Sequence, residues 1–240
     1  MNIGRYIKLC FVVLVCFTTF SVNASRLNDN LMYRQEADRR AWHLGFGVGM
    51  HLQDLMLKNN GFKTPGGEQW VVQDNAYSPG FNLCGLADIR LSGSFNVRFA
   101  PGLMFGSRNL VMRELNGGET MTQNLKSVYL SLPVELKYSA TRYRNVRPYL
   151  LTGVMPALDV NRSRGEMIAL KKFDVMASVG LGCDVYLPYF KINPELKFCF
   201  GLTDALRHDR PDLGDDDLMK ITQSVRRAVT SMIVLTLYFE

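Results

Sequence analysis

Nine charged residues, Asp88, Arg90, Arg98, Glu135, Lys137, Asp184, Lys191, Glu195 and Lys197, hold most of the chemistry this sequence offers, because they recur within apolar runs rather than in polar stretches. Five are basic and four acidic. Turned into one interior, opposite signs neutralise each other, whereas a single sign would be costly to bury. The set therefore predicts a structural charge network, with a proton or ion path as the sharper alternative.

Other chemistries find less support. Serine hydrolysis needs a serine and a histidine held together with a carboxylate behind the ring. The three histidines are His43, His51 and His208, and no G-x-S-x-G occurs. His51 with Asp54 is the one candidate dyad, and solvation on an outer rim is the expectation for both. Asp209, Asp212, Asp215, Asp216 and Asp217 form an acidic stretch that lacks the alternating oxygens and glycine turn of a calcium loop. No catalytic, metal or cofactor site is predicted.

The elements that would position the nine charges read as strands. In residues 225–239, Val229, Ser231, Ile233, Leu235, Leu237 and Phe239 alternate with Ala228, Thr230, Met232, Val234, Thr236 and Tyr238, a period of two. Seven earlier stretches repeat it: 41–52, 81–91, 95–106, 125–138, 147–160, 173–185 and 190–202. In the first, Trp42, Leu44, Phe46, Val48, Met50 and Leu52 face one way, and His43, Gly45, Gly47, Gly49 and His51 the other. A row of large apolar residues backed by glycine suits lipid outside and a crowded lumen inside. Pro133 falls inside the fourth stretch, an unusual place for proline.

Connections alternate in length: 53–78, 107–124, 161–172 and 203–223 are long, the others short. Long on one side and short on the other is the asymmetry of outer-membrane barrels. The expected fold is all-β, an eight-stranded antiparallel transmembrane barrel, with both barrel ends at the periplasm. An even strand number lets the first pair with the last, leaving no edge exposed to lipid. In the lumen, the charges lie toward the short turns. Gly47, Gly49, Cys84, Gly102, Met104, Gly153, Met155, Ala157, Met176, Ser178, Gly180 and Gly201 give the other half a small or apolar lining that would take a loop, lipid tail or peptide. The alternation predicts that Leu235→Lys costs more than Thr236→Lys.

Three domains follow: a signal peptide at 1–24, a polar periplasmic tail at 25–40 with little to bury, and the barrel at 41–240. Arg5 and Lys8 precede an apolar core and the Val22-Asn23-Ala24 cleavage site. Their loss leaves 26 basic against 22 acidic residues, a mild +4 without the basic stripe of a nucleic-acid binder. Cys10 and Cys16 leave with the leader, and of Cys84, Cys183 and Cys199 the first and last face one interior, as buried thiols in preference to a disulfide. After the leader, no uncharged run approaches the roughly 18 to 20 residues of a spanning helix.

Three segments resemble a known family. Val128-Tyr129-Leu130-Ser131-Leu132-Pro133-Val134-Glu135-Leu136-Lys137-Tyr138 is similar to the signature of the small outer-membrane barrels that include the PorT-like proteins, with Tyr129, Leu130, Pro133, Lys137 and Tyr138 as the matching positions. Arg147-Pro148-Tyr149-Leu150-Leu151-Thr152-Gly153 and the stretch from Phe173 to Gly182 resemble its next two strands. The resemblance implies a non-enzymatic role in type IX protein secretion, in the export and maturation of secreted proteases and other sorting-domain cargo. The partners it implies are lipopolysaccharide, outer-membrane lipid and other secretion proteins, with no nucleic acid, small-molecule substrate or cofactor. The rival is a structural or adhesion barrel, or a small porin. Phe239, one place before the C-terminal Glu240, is the expected assembly signal.

Overall fold

The structure, a computed structural model, describes residues 33–34, 36–59, 70–72, 78–115, 120–161, 170–207 and 225–240. The leader at 1–24, His208 and the acidic stretch 209–217 lie outside the described residues. Residues 31–240 form one compact unit.

Eleven strands follow in chain order: Trp42–Asn59 (β1), Trp70–Val72 (β2), Ser78–Arg90 (β3), Phe95–Phe99 (β4), Gly102–Glu114 (β5), Thr120–Ser131 (β6), Val134–Ser139 (β7), Val146–Asp159 (β8), Phe173–Tyr186 (β9), Lys191–Gly201 (β10) and Val225–Phe239 (β11). All pairings are antiparallel. β11 pairs with β1, and β8 with β9, so the sheet closes on itself. β4 and β5 together make one stave of the wall, as do β6 and β7, and the ring has eight. The chain folds as an eight-stranded antiparallel outer-membrane barrel. No described helix is long and apolar enough to cross a membrane.

Alternation decides which side chain faces which medium. Trp42, Leu44, Phe46 and Met50 are 59–66% exposed on the outside of β1, whereas His51 and Gln53, on its inner face, are 2% and 1% exposed. Aromatic residues gather at two heights on the outer surface. Phe46 stacks on Phe239 at 5.3 Å and Phe95 tilts against Tyr138 at 5.1 Å near the short turns, and Phe81 stacks on Phe105 at 4.8 Å toward the long hairpins. Two aromatic girdles enclosing an apolar band are how a barrel meets the two membrane interfaces.

Prolines explain why two of the eight staves are broken. Pro101 and Pro133 have no N–H to give the ladder, so β4 stops at Phe99 and β6 at Ser131. Each still accepts a bond: the Gly85 N–H donates to the Pro101 carbonyl at 2.8 Å and the Ala100 N–H to that of Pro133 at 3.4 Å. The register is unchanged across the break, with Ala87 opposite Phe99 and Cys84 opposite Gly102.

The long connections differ from the expected loops. β1 continues to Asn59, and β5 and β6 run as a ladder from Gly102–Ser131 up to Arg113–Thr120, where polar loop had been expected from 107. β2 pairs with the upper end of β5. Polar residues occupy both faces of these extensions, because above the membrane neither face needs to be apolar.

Candidate functional site

The lumen is filled in three tiers. The tier nearest the short turns is ionic. Arg98, wholly buried, donates from Nε and Nη2 to Asp88 Oδ2 at 3.3 and 3.0 Å and from Nη1 to Glu195 Oε2 at 2.6 Å. Lys137 donates to both oxygens of Asp184 at 2.8 and 2.9 Å. Lys197 bridges Glu135 at 2.8 Å and Glu195 at 3.2 Å. Neutral donors saturate the same carboxylates: Tyr149 to Glu195 at 2.9 Å, Ser178 to Glu135 at 2.9 Å and Asn96 to Asp88 at 2.6 Å. The Tyr149 ring lies 4.0 Å from the Lys137 ammonium and 5.1 Å from the Arg98 guanidinium. Buried charge is tolerated when each ion is paired with its opposite in this way, and the removal of any one partner is then severe.

Eight of the nine charges expected in this network lie in it, since Lys191 pairs with the Glu240 carboxylate. Arg90 does not. It ends β3, half-buried, and its Nε donates to the Ser92 carbonyl at 3.2 Å within the turn. Glu240 takes the place left open. Its carboxylate turns inward, within 3.7 Å of Arg98, and accepts from Asn193 Nδ2 at 2.5 Å. Its position after the last strand residue hid it in the sequence, although the even-numbered residues of β11 from Ala228 to Tyr238 are all buried on the inner face. The network holds four cations, Arg98, Lys137, Lys191 and Lys197, against five carboxylates.

The segment before the barrel closes this end. Ala37–Arg39 forms a single 3-10 turn, and Ala37 is buried. Asp38 accepts from Arg142 at 3.4 Å and Arg147 at 3.3 Å, and also from the Tyr186 hydroxyl. Arg142 also donates to the Arg34 carbonyl at 3.2 Å and to that of Tyr33. Arg34 reaches the Glu240 backbone carbonyl at 3.0 Å. The expectation of a tail with little to bury is corrected: its polar residues meet the basic turn after β7, whose cations need carboxylate and carbonyl partners.

The middle tier is apolar: Met104, Tyr129, Met155, Ala157, Met176, Cys199, Met232 and Val234. Cys84, Cys183 and Cys199 are free thiols. A cavity of about 30 Å³ remains beside Cys84, Lys197 and Thr236, room for one water. Among the described residues the ionic and apolar tiers fill this part of the lumen.

The third tier, toward the hairpins, is polar and was missed in the sequence because strands one and three were ended too early. His51, Gln53, Arg108 and Ser127 are all buried there. This places His51 in the lumen rather than on a solvated rim. Asp54 sits on the other face of β1, its Oδ1 accepting from the Leu55 N–H at 2.8 Å, so the two form no dyad.

The signature positions spread over all three environments. Tyr129 belongs to the apolar tier, Lys137 to the ionic one, and Pro133 ends the ladder. Leu130 and Tyr138 face outward, Tyr138 against Phe95. Phe239 also faces outward, between Phe46 and Phe190, with ring centroids 5.3 and 6.3 Å away.

Comparison with known proteins supplies a family. No curated protein sequence matches the chain. Among solved structures it is similar to the outer membrane protein OprG from Pseudomonas aeruginosa, at 13% identity and a TM-score of 0.47, covering 82% of this chain and 93% of that one. It is also similar to the outer membrane protein AlkL in lipid bilayers, at 12% identity and a TM-score of 0.39, covering 91% and 94%. Residues 28–207 match the family model described as outer membrane protein beta-barrel domain, and the chain belongs to that family.

Proposed function

We propose that this barrel is a non-enzymatic component of a type IX protein secretion machinery, a PorT-like protein needed for export and maturation of sorting-domain cargo. The observation that carries the reading is the filled lumen. Among the described residues the ion network, apolar tier and N-terminal turn fill the lumen, which favours a barrel that serves other proteins through its rims and its lipid face. An eight-stranded barrel encloses little beyond its own side chains. The choice of machinery rests on the likeness of residues 128–138, 147–153 and 173–182 to the PorT-like strands.

In this reading residues 1–24 direct export and are removed, and the short-turn rim with both barrel ends faces the periplasm. The 3-10 turn then presents its outer surface to periplasmic components, and the hairpins and lipopolysaccharide meet outside. Phe239 serves as the assembly signal. No substrate is turned over, and no cofactor takes part.

Deletion of the gene, with export of sorting-domain cargo measured in the culture medium, tests the proposal. Retention and incomplete maturation of cargo are expected, restored by the wild-type gene. Unaffected export would leave a structural or adhesion barrel as the better description.

A further inference from the structure

Arg108 is a buried cation without a counter-ion. It is 3% exposed and makes no ion pair among the described residues, and its Nε and Nη1 have no hydrogen-bond partner. Its one polar contact runs from Nη2 to Gln53 Oε1 at 3.4 Å, and its guanidinium stands 5.5 Å over the Tyr129 ring. Four cations lower in the same lumen are each matched to carboxylates, so the exception is local. A buried guanidinium with unspent donors is costly unless something accepts from it.

Two further donor groups converge on the same place, and they too are unpartnered: Gln53 Nε2 and both ring nitrogens of the His51 imidazole. The backbone is cut to fit them. His51 on β1, Gly80 on β3 and Gly106 on β5 form one row across the wall. A Cβ on Gly80 would meet His51 Nε2 at 2.4 Å, and one on Gly106 would meet Gln53 Nε2 at 2.2 Å. The two glycines therefore form a floor over which the imidazole and the amide lie, with Arg108 one step further along β5. Tyr129 closes the tier below.

We propose that Arg108, Gln53 and His51 form a binding site for a small oxyanion, a carboxylate or phosphate group, entering the lumen from the hairpin rim. An oxyanion supplies the negative charge that Arg108 lacks and the acceptors that Nε, Nη1, Gln53 Nε2 and one imidazole N–H lack, and charge-assisted bonds of this kind are the strong ones. Asp159, the ladder partner of Tyr129, is the carboxylate that opposes it. It accepts from the Asn161 N–H at 2.9 Å and makes no ion pair with Arg108 among the described residues. The site goes beyond the secretion reading and does not rest on it.

The test uses the refolded full chain in neutral-detergent micelles, with the unfolding midpoint followed as sodium acetate, sodium phosphate or sodium chloride is added at matched ionic strength. Acetate, phosphate or both should raise the midpoint saturably by about 2–4 °C, and chloride should not. Whichever oxyanion acts at the lower concentration identifies the source chemistry. Arg108→Gln should abolish the response, and Asp159→Asn should lower the half-saturating concentration about threefold by removing the competing charge. Should Arg108→Gln fail to refold, Gln53→Leu carries the same expectation of a weakened response. A wild-type protein that responds to oxyanions no more than to chloride overturns the site, as does a folded Arg108→Gln that responds like wild type. Cargo export is a separate readout, so failure here leaves the secretion reading untouched.

Discussion

The two ends of the lumen bury charge in opposite ways. Near the short turns, Arg98, Lys137, Lys191 and Lys197 each meet a carboxylate, and tyrosine, serine and asparagine side chains take up further oxygens. Near the hairpins, Arg108 has one weak contact to an amide, and the His51 ring beside it has none. The apolar tier between them insulates one from the other. A set of fully matched charges behaves as a fixed part of the wall, whereas unmatched donors of one sign are the arrangement of a site that waits for a ligand. The first end is structure, and the second is where binding chemistry remains.

Substitution can break or sharpen that contrast. The largest effect is expected from Arg98→Met, which takes the closest cation from Asp88 and Glu195, leaving Asp88 to Lys137 at 3.7 Å and Glu195 to Lys197 at 3.2 Å, and should cost about 3–5 kcal/mol in urea unfolding from vesicles. A loss below about 1 kcal/mol would mean that the network is not tightly coupled. Next comes the lipid face: Leu235→Lys should cost about 2–4 kcal/mol if that residue lies near the bilayer midplane. Alternation alone predicts a smaller cost for Thr236→Lys. The structure revises that, because Thr236 is buried beside Lys197 and accepts from Asn82 at 3.1 Å. A second ammonium there has no room, in a cavity of about 30 Å³, and stands beside Lys197, so the two substitutions should destabilise alike. Asp38→Ala, which frees Arg142, Arg147 and Tyr186 at the short-turn rim, should cost about 1–2 kcal/mol and make the N-terminal segment more accessible to protease. The smallest effect should come from Arg108→Gln without added oxyanion, within about 1 kcal/mol of wild type, since it removes a charge that has no ion-pair partner among the described residues.

The sequence made the wall legible and left the upper lumen hidden. Period-two alternation marks where side chains must choose between lipid and lumen, and it held from Trp42 to Leu52 and from Val128 to Tyr138, apart from the break at Pro133. Once the strands rise above the membrane that choice lapses. Residues such as Gln53 and Arg108 then read as loop even though the hydrogen-bonded ladder continues through them. The ionic tier was legible because charges inside apolar runs have nowhere to go but inward. Arg90 and Glu240 were misplaced for one reason: at a strand end, the alternation no longer says whether a side chain turns toward the lumen or along the rim. The grip of Asp38 on Arg142 and Arg147 spans about a hundred residues and depends on a turn that no local pattern announces.

Liposome swelling with the purified, refolded barrel tests the central claim most directly. A lumen filled by its own side chains predicts no solute flux above that of empty liposomes, in the wild-type protein and in Asp38→Ala alike, because the ionic and apolar tiers remain when the N-terminal segment is released. Robust flux of small sugars through the wild-type barrel would contradict it.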